Sequence, residues 1–322
     1  MPPHPTAKLH PLAKVHPSAD IGAGTIVEAD VEIQEDVTIG SNCIVRSGTL
    51  IREGAQVGDN CDLDAFYVGC RARLGDGVRM AHHSSVGNRA TIGNSVHLQT
   101  QSQVGRNATV EHGTTLGVRT FVHAAAHVGP KVTTHKDVRI GESVKVGAET
   151  TFAADVKVAP NAEIGDRTNV GEKVRIGDDA GVGIMPPAVI GDDCAIGDNA
   201  VLGADSRMGD GCTLEANATL EYRAHMEAGS TVCAGSRVKL DATIPPGETV
   251  PPSTLVKADG TQLPRHVDID DYNFRDNDDD REVWTGLGDM PESPPERPPR
   301  APSPASDAAR LANERGRAGP SR

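Results

Sequence analysis

The feature that most constrains this chain is an apolar residue that recurs at every sixth position over most of its length. Between positions 68 and 128 the series runs Val68, Leu74, Met80, Val86, Ile92, Leu98, Val104, Val110, Leu116, Val122 and Val128. A small or β-branched residue usually stands two positions before each of these, and Gly often follows directly. A period of six belongs neither to an α-helix nor to a simple alternating strand, whereas a fixed short period is typical of a solenoid.

The two inward positions of each repeat lie on the same face of a short strand, because side chains alternate along a strand. One repeat cannot bury its own apolar face, but a stack of repeats buries a continuous column. Three six-residue sides per turn make a parallel β-helix, in which residues 18 positions apart stack on one another. We therefore predict an all-β fold, and we expect the Gly after each apolar residue to adopt φ > 0 at a tight corner.

The six-residue register predicts about 13 coils, with two interruptions. The step shortens to five just before Val68, where the adjacent aromatic residues Phe66 and Tyr67 indicate a bulge or a subunit contact. The step then lengthens to eight between Val182 and Ile190.

The composition changes after the last repeat and predicts two regions. Residues 1–256 are expected to form the β-helix, and residues 257–322 a mostly disordered tail. The tail holds ten acidic and two basic residues over positions 268–292 and then becomes rich in Pro. The alternative is that its aromatic residues dock on the column or on a partner. These are Tyr272, Phe274 and Trp284.

A formal net charge of −13 makes nucleic acid and anionic membranes poor candidates as partners. We find no signal-peptide pattern and no apolar run long enough to span a membrane, so the expected location is the cytoplasm. Four of the six Cys fall on the small inward position of the repeat, which predicts reduced core residues. These are Cys43, Cys61, Cys194 and Cys212. No CxxC pair is present, and no metal site is predicted.

Two kinds of short segment resemble a known family. The segments His4-Pro5-Thr6-Ala7 and His16-Pro17-Ser18-Ala19 resemble the opening coils of hexapeptide-repeat acyltransferases. The segment from Ala81 to Gly87, AHHSSVG, resembles the Ala-His-Asp/Asn-Cys-x-Val-Gly segment of the lipid A acyltransferases, such as UDP-N-acetylglucosamine acyltransferase. The chain thus resembles the hexapeptide-repeat family of left-handed parallel β-helices. The left hand is implied by this resemblance, since spacing alone favours a right-handed crossover.

The resemblance implies an acyltransferase that moves an acyl or acetyl group from a CoA or acyl-carrier-protein thioester to a hydroxyl or amine of a small, sugar-like acceptor. His82 aligns with the family's general base, whereas His83 and Ser84 depart from the Asp/Asn and Cys of the pattern. Acyl-CoA or acyl carrier protein would act as a co-substrate, with no tightly bound cofactor. Family members are usually homotrimers with their sites between columns.

The 18-residue stacking rule selects the side chains that surround His82. We expect five of them to bind substrate: His83, His97, Thr100, Gln101 and Arg119. The N–H groups of Gly87 and Gly105 are candidates for binding the oxyanion that develops on the thioester carbonyl.

Two other functions stay open. The γ-class carbonic anhydrases of the same family bind zinc through His residues, two of them at neighbouring repeat positions. This chain does not complete that pair, because Gly87 matches His82, Gly117 matches His112, and Val118 matches His123. The second alternative is a non-catalytic column that serves as a scaffold or a binding surface, which the long uninterrupted repeat favours.

Overall fold

The computed structural model describes residues 3–177 and 186–264. Over these residues the chain forms short parallel strands and no helix, and the strands wind into a triangular column. Because the third face contains 13 strands, the predicted number of about 13 coils is confirmed, and so is the all-β class. No helix within the described ranges is long and apolar enough to cross a membrane.

Each coil contributes one strand to each of three faces, numbered here in chain order. The first face is formed by Lys8–Leu9, Ile26–Val27, Ile44–Val45, His97–Leu98, Thr115–Leu116, Thr133–Thr134, Thr151–Phe152, Asn169–Val170, Ala195–Ile196, Thr213–Leu214, Thr231–Val232 and Thr249–Val250. The second is formed by Lys14–Val15, Glu32–Ile33, Leu50–Ile51, Gln103–Val104, Phe121–Val122, Arg139–Ile140, Lys157–Val158, Arg175–Ile176, Val201–Leu202, Thr219–Leu220, Arg237–Val238 and Thr254–Val256. The third is formed by Asp20–Ile21, Thr38–Ile39, Gln56–Val57, Arg73–Leu74, Thr91–Ile92, Thr109–Val110, His127–Val128, Lys145–Val146, Glu163–Ile164, Val189–Ile190, Arg207–Met208, His225–Met226 and Thr243–Ile244.

The sixth-position residues fill the axis of the column, as the period predicts. Leu63, Val86 and Leu116 are completely buried, and so are the small residues Ala72 and Ala90 two positions before a rung. Each buried aliphatic side chain contributes roughly 1.5–3 kcal/mol, so the ladder of these residues, called rungs below, dominates the stability of the fold. The four predicted core cysteines are buried and unpaired.

The predicted role of the Gly that follows each rung is wrong. Gly22 and Gly87, for example, are absent from the residues with positive φ, most of which lie three positions after a rung and include Asn42 and His83. Gly177, directly after the rung Ile176, is an exception. Gly is needed after the rung because coils stack closely there. A Cβ on Gly87 would lie 2.7 Å from the N atom of Arg106 in the next coil.

The short step before Val68 produces a bulge, as predicted. Two long strands, Asp62–Val68 and Arg79–Val86, run around the corner between the first and second faces and join these faces into one sheet. Their pairing shifts register between Leu63 and Ala65 and again between Ala65 and Tyr67. This corner, which we call the first corner, is therefore irregular only at these two coils.

The second interruption differs from the predicted one. Ile190 pairs with Ile164 on the third face, so it is the next rung after Ile176 and not after Val182. The additional residues therefore form an insertion between Ile176 and Ile190, and Val182 itself lies outside the described residues. The prediction was wrong because Val182, an apolar residue, stands at the sixth position after Ile176 and imitates a rung in the sequence.

The column ends in a hairpin. Gln262–Pro264 pairs antiparallel with Thr254–Val256, the last strand of the second face. The described fold thus extends eight residues past the predicted boundary at Val256, and the remainder of the predicted tail, 265–322, lies outside the described residues.

Candidate functional site

The candidate site lies on the first corner, at the level of the two long strands. The N–H of Gln101 donates to the carbonyl oxygen of His82 at 3.1 Å, and the N–H of Arg119 donates to that of Thr100 at 3.1 Å. The stacking predicted from the 18-residue spacing is therefore confirmed, with His82, Thr100, Gln101 and Arg119 exposed along one corner. Their roles in catalysis and substrate binding stay predictions.

His82 has a carboxylate partner in the coil below. Its Nδ1 lies 3.3 Å from Oδ1 of Asp64, and 65% of the His82 side chain is exposed. Asp64 directly follows the rung Leu63, whereas His82 stands two positions after Met80, so the shortened step brings the two side chains together. Asp64 was not identified from the sequence, because the shortened step places residues 18 apart at different positions of their repeats in this coil.

His83 occupies the turn position of this coil. Its φ is 58°, and Gln101, Arg119 and Asp137 have positive φ at the same position of the next three coils. Among residues other than Gly, Asn, Asp and His are the ones enriched in this left-handed region. His83 is therefore a residue type that this backbone conformation favours, as Asp and Asn are. Its ring lies 4.0 Å from that of His82, centroid to centroid.

Arg119 is held by an acidic neighbour. Its Nε and a terminal nitrogen donate to the two carboxylate oxygens of Asp137, each at 2.6 Å. These hydrogen bonds hold the pKa of Asp137 below its usual range. The predicted substrate-binding side chain is therefore already occupied by an acid of the next coil.

His97 lies beside the corner and not on it. It projects from the first face, where it pairs with Arg79 below and Thr115 above. The side chain is exposed one coil above His82, so it borders the candidate site on the side of the first face.

The predicted oxyanion donors are engaged elsewhere. The N–H of Gly87 donates to the carbonyl oxygen of Val104, and that of Gly105 donates to Val122, both at 2.7 Å. These bonds belong to the regular hydrogen bonding between coils, so neither N–H is available to bind the oxyanion.

The remaining His residues of the central coils are spread around the column. His127 projects from the third face, where Nε2 lies 3.1 Å from Oε1 of Glu111. His123 follows the second-face rung Val122, and burial, reinforced by Arg139, lowers its pKa. Nowhere in the described parts of the chain do three His, Cys, Asp or Glu side chains gather as a metal site would require.

Two further residues of this corner bear on the site, and only the second, Ser85, was missed at the level of sequence. Phe66 is an exposed aromatic residue within the long strand that carries Asp64, with 40% of its surface accessible. Ser85 projects from the second face yet is 2% exposed, and its hydroxyl has no hydrogen-bond partner among the described residues. Burial of an outward-facing side chain depends on its neighbours, which the period of six does not reveal.

Two family models match parts of the chain. The model described as GMPPB C-terminal domain matches residues 9–104, which include the candidate site. The model described as hexapeptide repeat of succinyl-transferase matches residues 187–222. The two matches together cover less than half of the chain, and the described structure consists of stacked six-residue repeats. No curated protein matches the chain over its sequence.

Solved structures of similar proteins are distant. UDP-N-acetylglucosamine acyltransferase from Francisella novicida is 15% identical, covers 81% of this chain and 69% of its own chain, and has a TM-score of 0.24. The UDP-N-acetylglucosamine O-acyltransferase of Moraxella catarrhalis is 17% identical, with coverages of 67% and 72% and a TM-score of 0.23. The acetyltransferase domain of PglB from Neisseria gonorrhoeae, in complex with acetyl coenzyme A, is 22% identical, with coverages of 37% and 51% and a TM-score of 0.18. Similarity at this level carries no argument about the activity of this protein.

Proposed function

We propose that this protein is an acyltransferase that moves an acyl or acetyl group from a CoA or acyl-carrier-protein thioester to a hydroxyl or amine of a small, sugar-like acceptor. The observation that carries the proposal is the pairing of His82 with Asp64 on an exposed corner. An exposed imidazole with a carboxylate behind one nitrogen has the arrangement of a general base and the group that orients it.

The proposed reaction uses the two ring nitrogens of His82 differently. A proton on Nδ1 is directed to Asp64, which leaves Nε2 to accept the proton of the acceptor hydroxyl or amine. The acceptor oxygen or nitrogen then forms a bond to the thioester carbonyl carbon. As the tetrahedral intermediate collapses, the C–S bond breaks and the thiolate takes the proton from His82.

The oxyanion of that intermediate needs a hydrogen-bond donor. Since the N–H groups of Gly87 and Gly105 bind neighbouring carbonyls, we assign this role to the carboxamide of Gln101, one coil above His83 on the first corner. Thr100 and His97 then contact the acceptor from the coil above His82. Arg119 stays bound to Asp137, and this ion pair positions the side chains stacked on the first corner.

The site is open on the solvent side, and we propose that a second copy of the chain closes it. A homotrimer with parallel columns would place a neighbouring face against the first corner of each chain. The exposed ring of Phe66, in the strand that carries Asp64, is suited to such a contact because an exposed aromatic side chain favours burial in an interface.

The test is turnover of acyl-CoA and acyl-carrier-protein thioesters with a panel of amino and hydroxyl sugars, with the acylated product detected by mass. His82→Ala should lower kcat/KM by about 10²–10⁴-fold, which is the usual contribution of a general base. His112→Ala replaces an exposed histidine of another corner and should leave turnover unchanged. Equal activity of the wild type and His82→Ala would reject the role of His82. A wild type that neither binds nor turns over the thioesters would favour the non-catalytic column.

A further inference from the structure

The outward strand position of the second face changes from neutral to basic partway up the column. In the coil of His82 and the two coils above it, this position holds neutral residues, which are Ser85, Gln103 and Phe121. In the next three coils it holds cationic residues, which are Arg139, Lys157 and Arg175. We call these three residues the basic row. Because their strands pair in register, their Cα atoms lie roughly 4.8 Å apart from coil to coil.

The basic row is open to an anion from solvent. Arg139 and Arg175 are exposed, and neither has a carboxylate within ion-pair distance in the described parts of the chain. The residues that follow the three rungs are small and uncharged, namely Gly141, Ala159 and Gly177. An anion can therefore approach both guanidinium groups without displacing an acid of this chain that the structure describes.

The acids that border the basic row on the described surface are partly compensated. On the first corner, Asp137 is bound by Arg119. Asp155 has Lys173 at the same turn position one coil above, and Glu142 lies beyond the strand. The described surface around the basic row is thus net positive, in a chain whose net charge is −13. A positive patch on an acidic protein favours an anionic ligand at that place.

The height of the basic row above His82 is set by the stacking of the coils. Arg139 lies three coils above Ser85, which is in the coil of His82. At roughly 4.8 Å for each coil, the difference in height is about 14 Å. A pantetheine arm joins its sulfur to its phosphate through about 13 bonds, which span roughly 16 Å when extended. An arm that runs up the second face from a thioester at His82 therefore ends at the level of Arg139.

The path between the candidate site and the basic row is suited to a neutral chain. Its strand residues Ser85, Gln103 and Phe121 carry no charge. His123, which follows the rung after Phe121, is mainly neutral at pH 7 because burial lowers its pKa. A pantetheine arm is likewise uncharged between its sulfur and its phosphate, so the charges of the second face follow those of the arm.

We propose that the basic row binds the phosphate groups of coenzyme A, with the arm of the donor along the second face and its thioester at His82. This inference rests on the proposed function and selects one of its two donors. Coenzyme A has a diphosphate and a further phosphate beyond its arm, which suit three cations stacked over two coil steps. The arm of an acyl carrier protein ends in one phosphodiester. Arginine suits phosphate because its planar guanidinium donates two hydrogen bonds at once.

The test compares acyl-CoA with acyl-pantetheine, which has the same arm and no phosphate, as substrates of the full-length protein. The double variant Arg139→Gln/Arg175→Gln should lower kcat/KM for acyl-CoA by about tenfold, mainly through KM, because exposed ionic hydrogen bonds are lost. Its kcat/KM for acyl-pantetheine should equal that of the wild type. Arg73→Gln removes an exposed arginine at the same strand position of the third face and should change neither value.

A loss of equal size with both thioesters, or no loss with acyl-CoA, would overturn the assignment of the basic row. A loss confined to an acyl-carrier-protein substrate would also overturn it, because the phosphates of coenzyme A would then bind elsewhere.

Direct binding separates this inference from the proposed function. Coenzyme A and pantetheine are titrated by calorimetry into the wild type and the double variant, without an acceptor. A Kd for coenzyme A that is below that of pantetheine and rises about tenfold in the double variant would support the basic row even where no acceptor is acylated. Equal affinity of the wild type for the two compounds, together with turnover of both thioesters, would retain the acyltransferase and reject the basic row.

Discussion

At the scale of single residues, the structure separates two kinds of histidine that the sequence presents together. His82 is exposed and paired with Asp64, whereas His123 is half-buried and lies near Arg139 and Glu142. An exposed imidazole can meet an acceptor, while a buried one loses hydration when it takes up a proton. Their different surroundings lead to separate predictions for catalysis and for stability.

The carboxylate of Asp64 is expected to orient His82. Asp64→Asn should lower kcat by about tenfold with little change in KM, because a group that orients a catalytic side chain acts mainly on the chemical step. Asp62→Asn is the matched control, since Asp62 lies on the same strand but binds Arg46 at 2.7 Å. A loss of activity of equal size in both variants would show that Asp64 has no specific role.

The half-buried position of His123 predicts a pH dependence of stability. Its pKa is lowered in the folded chain, so the unfolded chain binds the proton first as the pH falls below about 6.5. The free energy of unfolding should thus be fully retained above that pH and decline below it. His123→Gln should reduce this decline between pH 7.5 and 5 in urea unfolding, whereas His112→Gln should not. An unchanged slope in His123→Gln would assign the decline to other groups.

At the scale of the strand, one rung departs from the apolar rule. Thr134 is 3% exposed, and its hydroxyl oxygen accepts the N–H of Gly117 at 2.8 Å and lies 2.9 Å from the hydroxyl of Thr120. In regular coils the Gly N–H binds a backbone carbonyl, as Gly87 binds Val104. The side chain of Thr134 therefore replaces a bond of the ladder.

Thr134→Val tests whether shape or hydrogen bonding governs this rung. Valine has the same shape and is more apolar, so hydrophobicity alone predicts a gain. We expect instead a loss of about 1–3 kcal/mol, the cost of a buried donor without an acceptor. The measurement is the free energy of unfolding in guanidinium chloride, with Thr115→Val, a less buried position on the same face, as the control. A stability equal to or above that of the wild type would mean that the backbone returns to the regular ladder.

The same strands show which features of the fold and the site could be predicted from the sequence alone. The period of six identified the rungs, the stacking of Thr100 on His82 and the bulge before Val68, because each follows from repetition. It misplaced the insertion before Ile190, since eight extra residues can imitate the period. It also missed the pairing of Asp64 with His82, which depends on a local register shift. The left hand of the helix was implied by the resemblance and not by the period.

At the scale of the whole molecule, the column is built from contacts between neighbouring coils. Each first-face or second-face strand pairs with strands one coil away, apart from the closing hairpin. Stability is therefore close to a sum of coil and interface terms, and a change in one coil acts locally. An assembly contact at the first corner can thus be removed without unfolding the chain.

The proposed trimer gives the last prediction. Wild-type protein should sediment with three times the 33.7 kDa mass of one chain. Phe66→Asp should shift the mass to that of a single chain and abolish transfer activity, because it places a charge in an apolar contact that completes the site. Leu240→Asp is the matched control, since Leu240 is 45% exposed and lies far along the column from His82. A wild-type mass of one chain with full activity would show that each column works alone, and loss of the trimer in Leu240→Asp but not in Phe66→Asp would place the interface at the upper coils instead.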